Sequence, residues 1–191
     1  MAVEYVNRKG QTYYLHESRT KTGKPRYYFS LKKEGTLADE IPEGYEVYEH
    51  PNGQVFLRRV RPKAITDDEV AVVERAMERF YGSPYYQLDV KGDTLEVFVP
   101  DQDVEGLCGL LGTMLTGEAS AVEAEVSRAL TYSAELRFIL VDEQEREFLV
   151  QRYSYLGSVD DWIDIDGPGE LASLAERYAK HLGRDSLLEL S

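Results

Sequence analysis

The chain has 191 residues, 42% of them hydrophobic, with 14 Tyr and 6 Phe; this is enough for one large or two small packed cores and excludes wholesale disorder. Its net charge of −13 is unevenly spread: residues 1–63 hold 12 Lys/Arg against 8 Asp/Glu, and residues 64–191 hold 10 against 27. The single Cys108 excludes an internal disulfide, and no stretch approaches the roughly 20 apolar residues of a membrane span.

The opening MAVEYVNRKG lacks a basic-then-apolar signal segment, so a cytoplasmic protein is expected, with no membrane partner. From there the first part reads as an antiparallel β-meander. A strand near Val3–Val6 precedes the Arg8-Lys9-Gly10 turn, and Gln11–Glu17 is a Tyr- and Thr-rich second strand. A polar tip, Ser18 to Pro25, leads back into Arg26-Tyr27-Tyr28-Phe29-Ser30-Leu31. Tyr45–Glu49 and Gln54–Arg59 flank His50-Pro51-Asn52-Gly53, and Asn-Gly between such runs signals a hairpin. About five short strands are predicted within residues 1–60.

Arg61-Pro62-Lys63 marks a boundary, because Pro interrupts a ladder and the charge changes sign just beyond it. A basic all-β module over 1–63 and an acidic α+β domain over 64–191 follow. Thr66-Asp67-Asp68-Glu69 has the form of a capping box, and Val70, Val73, Met77 and Phe80 follow at helical spacing up to Gly82-Ser83-Pro84. A hairpin is predicted for 86–99 about Lys91-Gly92-Asp93, with Leu95, Val97 and Val99 on one face. Residues 103–117 read as a short helix or a buried loop; Val122, Val126, Ala129 and Leu130 line a further helix. Glu135–Val141 and Glu147–Tyr153 form the next hairpin. Leu171, Leu174, Ala175, Tyr178 and Leu182 describe a last helix, ending at Gly183. Helix, hairpin, helix, hairpin, helix predicts an antiparallel sheet with helices on one face.

The cations around the first long turn carry the functional reading. Arg19, Lys21, Lys24, Arg26, Lys32 and Lys33 lie beside Tyr14 and Tyr28, among further aromatics. Cations neutralise phosphates or carboxylates, and exposed rings stack on unpaired bases. The plainer reading is a solvated hairpin tip whose tyrosines serve the core and whose lysines guard a sheet edge.

Other constellations carry less. Asp160, Asp161, Asp164 and Asp166 before Gly167 invite a calcium loop, but alignment puts Trp162 at the first ligand position and Ser173 at the bidentate one. The segment reads instead as a strand leading to a helix opened by Pro168. His16, His50, His181 and Cys108 show no metal-ligand spacing, and Cys108 reads as a small hydrophobe among leucines. Gly106, Gly109, Gly112 and Gly117 match neither dinucleotide nor P-loop pattern. No metal or cofactor is expected.

Residues 5–35, YVNRKGQTYYLHESRTKTGKPRYYFSLKKEG, with 41–59 and the ending YAKHLGRDSLLEL at 178–190, resemble a family of uncharacterised bacterial proteins. The resemblance implies a bacterial, cytoplasmic protein with a discrete N-terminal unit, and supplies no catalytic or ligand residues. Residues 11–33 also resemble, more faintly, the basic three-stranded arm-type DNA-binding sheet of phage integrases.

The expectation is thus an α+β interaction protein without catalysis, its basic hairpin contacting an acidic protein partner or nucleic acid. Two alternatives stand beside it: an enzyme with a site between the two parts, drawing on His16, His50 and the Asp160–Asp166 cluster, and a purely structural or oligomerising protein.

Overall fold

The computed structural model describes residues 2–114, 119–156 and 159–190. It has the expected α+β class, with every strand pair antiparallel. The chain divides into two compact units, residues 1–61 with 103–130, and 62–102 with 131–191. The helical pair within 103–130, assigned from sequence to the acidic part, therefore belongs with the N-terminal strands.

In the first unit the five predicted strands form two sheets. β1 (Glu4–Val6), β2 (Thr12–Arg19) and β3 (Pro25–Ser30) make one, in the order β1-β2-β3. β4 (Tyr45–Glu49) and β5 (Val55–Arg59) make the other, closed by the predicted His50–Gly53 turn with Gly53 at φ 81°. The segment 36–38 continues the line of β1 along β2, through Ala38 N–H to Leu15 O and Glu17 N–H to Thr36 O. Residues 104–114 form a helix, α2 (Val104–Met114), and residues 115–117 of the predicted 103–117 segment lie outside the described residues. None of its side chains from 104 to 113 is fully buried, Leu110 being 52% exposed, so a buried loop is not what forms there. Cys108 is accordingly half-buried. On α3 (Ala119–Ala129) Val126 is fully buried, as is Leu130 just beyond.

Arg8 ties these pieces together. Its guanidinium donates to Ser127 O (2.6 Å) and Leu130 O (2.7 Å) at the end of α3, and to Pro51 O (2.5 Å). Helix ends leave such carbonyls unpaired, and a cation there also meets the negative end of the dipole. Beside it the buried Asn7 donates to Gly53 O at 2.6 Å.

The second unit is a five-stranded meander in the order β10-β9-β8-β7-β6: β6 (Gln87–Lys91), β7 (Thr94–Pro100), β8 (Tyr132–Asp142), β9 (Glu147–Leu156) and β10 (Val159–Glu170). Where the chain leaves β7 and re-enters β8, Gln102 and Thr131 clasp one another through Thr131 N–H to Gln102 Oε1 and Gln102 Nε2–H to Thr131 Oγ1. Two helices pack on one sheet face. α1 (Asp67–Ala76) starts at the predicted capping box, both of whose bonds form, and runs on as a π-helical turn through Tyr81 to Gly82 at φ 76°. α4 (Leu171–Ala179) buries Leu171, Leu174, Ala175 and Tyr178. With Val73, Met77, Leu95, Val97, Val99, Phe138 and Phe148 they make one core. Arg152 is an unforeseen member of the core-facing row, 6% exposed and donating to Leu190 O.

Two helix boundaries differ from expectation. Pro168 does not open α4, because β10 stays paired to β9 through Gly169 and Glu170. It sits where the register shifts, between Asp166 and Gly169, a place in a strand that tolerates the missing N–H. Gly183 (φ 67°) is not the cap of α4, which ends at Ala179; Leu182 is buried in the turn that follows. No helix among the described residues is long and apolar enough to cross a membrane.

Candidate interaction surface

The β2–β3 hairpin positions the predicted cations. Directly paired residues share a sheet face, as do alternate residues along a strand. Arg26, Tyr28 and Ser30 on β3 therefore share a face with Ser18, His16 and Tyr14 on β2. Arg19 and Phe29 belong to the opposite face, with the fully buried Leu15. Lys21 and Lys24 occupy the tip, which is fixed internally: Lys24 N–H donates to Thr20 Oγ1, Gly23 N–H to Thr20 O, and Gly23 adopts φ 80°.

The first face is a layered platform. Tyr28, 41% exposed, stacks on His16, with centroids 5.2 Å apart and planes 10° apart, and the Arg26 guanidinium lies 5.7 Å from the Tyr28 ring. His16 is only 4% exposed; its Nε2 lies 2.8 Å from Lys32 O, and since a carbonyl only accepts, Nε2 carries the proton. Farther along, Lys33 Nζ sits 5.3 Å from the Tyr14 ring centre and 3.6 Å from a Glu4 carboxylate oxygen, an exposed pair of small energetic weight. The Lys32 side chain is exposed.

The structure thus brings Arg26, Tyr28, Tyr14 and Lys33 together, adds Lys21 and Lys24 at the tip, and sets Arg19 on the reverse face. Arg19, Lys21, Lys24 and Arg26 are all exposed, and none forms an ion pair with a described residue. Their unit as a whole is balanced, however, at 12 Lys/Arg against 13 Asp/Glu, because 103–130 contributes five acids and one base. The basic character is local to the hairpin.

The residues of the enzyme alternative each form bonds of their own. His16 is committed to Lys32 O, and His50 Nδ1 accepts from Asn52 N–H, both in the first unit. The β10 aspartates belong to the second unit and bond separately: Asp160 with Tyr153, Asp164 with Gln151, Asp166 with Tyr178 and Arg177. No three His, Cys, Asp or Glu among the described residues are grouped to hold a metal ion.

Sequence reasoning missed a second concavity, within the second unit. Val70, Glu74 and Glu78, spaced four residues apart along α1 and its π-helical extension, face Tyr86 and Leu88 of the β6 region across an open groove of 660 Å³. The helix and the strand over 86–90 were both readable in advance, but that they lie opposite one another was not. Tyr86 titrates above the usual phenol range, through burial and then the Glu74 and Glu78 charges.

Searches against protein-family models, curated proteins and solved structures return no match.

Proposed function

We propose that this is a non-catalytic interaction protein whose basic β2–β3 hairpin contacts an acidic protein surface. One observation carries the reading: Arg19, Lys21, Lys24 and Arg26 are exposed and without carboxylate partners among the described residues, on a turn that is itself rigidly bonded. A turn whose backbone is already bonded gives up little backbone entropy when a partner's carboxylates arrive, and cations not neutralised at home keep their charge for that partner. The molecular net charge of −13 limits the attraction to roughly a Debye length around the tip, which suits a protein partner with a local acidic patch better than a long polyphosphate. A bacterial cytoplasm, reducing towards Cys108, is the setting this reading assumes.

Nucleic acid is the second reading, favoured by one feature. Tyr28 presents a half-open ring backed by His16 and flanked by Arg26, as a stacking platform for an unpaired base requires.

The experiment is binding of the intact chain, at low salt, to a fluorescent oligoglutamate and to a fluorescent oligothymidylate, each repeated with K21E/K24E/R26E. Saturable binding of the acidic peptide, weakened at least about tenfold by charge reversal, is the expected result. Binding of the oligothymidylate alone transfers the site to nucleic acid. Binding of neither, or binding indifferent to the triple substitution, removes the hairpin as a contact surface.

A further inference from the structure

The two edges of the five-stranded sheet are built differently. β10 is broken by two register shifts and carries Pro168, features that blunt an edge against further pairing. β6 has no register shift and no proline.

Its unpaired groups follow from the turn that closes it. Lys91 pairs with Thr94 across Gly92-Asp93, a two-residue turn with glycine at φ 66° in first position. Such a turn makes Lys91–Thr94 a hydrogen-bonded pair, so by alternation Asp89–Glu96 and Gln87–Phe98 are bonded too. Leu88 and Val90 then point their N–H and C=O groups away from β7, and neither bonds to another described backbone group there. Lys91, the residue that could guard this edge, is drawn to Asp89 (3.2 Å) and Glu96 (2.7 Å) instead.

The groove lined by Val70, Glu74, Glu78, Tyr86 and Leu88 lies between this edge and α1. Successive members of the helical stripe are about 6 Å apart along the axis. Alternate side chains of an extended chain are about 6.7 Å apart, nearly the same step. An incoming strand would therefore place one side chain after another against an apolar contact and then two carboxylates.

We propose that the α1–β6 groove binds an extended basic segment of a partner protein, which adds to the sheet as a sixth strand along β6. Main-chain bonds to Leu88 and Val90 hold it, and lysine or arginine at alternate positions meets Glu74 and Glu78, the general pattern of strand addition. This site is separate from the basic hairpin and opposite to it in charge.

The probe is a fluorescent peptide of alternating valine and lysine, titrated into the intact chain, beside the same peptide with every backbone nitrogen methylated. Methylation keeps charge and side chains and removes the donors. Strand addition requires the methylated peptide to bind at least about tenfold more weakly, E74Q/E78Q to weaken the parent peptide similarly, and amide exchange at Leu88 and Val90 to slow on binding. Both glutamates are exposed, so the double variant keeps the fold. Equal binding of the methylated peptide, indifference to E74Q/E78Q, or no saturable binding at about 1 mM peptide each overturns the proposal.

Discussion

Arg146 holds a left-handed backbone conformation, φ 54°, in the β8–β9 turn, the single non-glycine to do so among the described residues. Its guanidinium meets both oxygens of Glu69 (2.9 and 2.6 Å) and donates to Ala64 O at 3.0 Å. Glu69 is also the return half of the α1 capping box, so one carboxylate serves the helix start and the turn. The side chain thus offsets a backbone strain of about 1 kcal/mol. Arg146→Ala forfeits the bonds and keeps the strain, whereas Arg146→Gly forfeits the bonds and releases it. Urea unfolding should show Ala as the more damaging of the two by about 1 kcal/mol; a glycine variant equal to or worse than alanine would show that the positive φ costs nothing. None of this was legible, because a turn arginine in sequence has no visible partner 77 positions away. Gly167 teaches the same from the other side. It suggested a calcium loop, yet a Cβ there would lie 2.6 Å from Phe148 O and 2.9 Å from Leu149 Cα, so the residue answers to the close passage of β9.

At the scale of elements, local signals were sufficient where local chemistry decides. The Thr66 capping box, the Asn52-Gly53 and Gly92-Asp93 turns and the α4 stripe from Leu171 to Tyr178 form as spacing predicts. The hairpin cations were legible too, since charge needs no fold to be counted; their division between two faces was not, because register is a tertiary outcome. The allegiance of α2 and α3 was hidden for a related reason. They follow β7 in sequence, but the Arg8 guanidinium reaches carbonyls at the end of α3, 119 and 122 positions away, and joins them to the β4–β5 turn. Arg8→Ala leaves two carbonyls at the end of α3 and one at Pro51 without their charged donor, and should cost about 2–3 kcal/mol in urea unfolding. Arg8→Lys should recover less than half of that, since a single ammonium cannot span three carbonyls in a planar fork. Full rescue by lysine would reduce Arg8 to a point charge near a helix end.

For the whole molecule, net charge resides in the second unit, which holds 10 Lys/Arg against 22 Asp/Glu while the first is balanced. Within that acidic unit two carboxylates are shifted in opposite directions. Glu135 is pushed above the ordinary range by burial, reinforced by Asp101, and the Gly183 N–H opposes this only in part. For Glu69, burial also pushes upward, but the bonds from Arg146 and Thr66 outweigh it and hold the group below the ordinary range. A raised folded pKa means that the native state binds the proton more tightly than the unfolded chain does, so Glu135 adds stability below the unfolded value and loses it as pH rises through the folded one. Glu69 does the reverse: its contribution is present above the unfolded value and is lost as pH falls through the lowered folded one. Glu135→Gln retains an oxygen to accept from Gly183 and removes a charge from a partly buried site, so it should stabilise at pH 7, with the gain shrinking towards pH 4. Glu69→Gln should destabilise at pH 7, with the deficit shrinking on acidification. Urea midpoints of both variants and the parent, followed from pH 7 to pH 4 at constant ionic strength, separate the two. General self-repulsion among the acids would make both neutralising substitutions stabilising at pH 7, so midpoints moving in the same direction there would show the net field outweighing the local bonds.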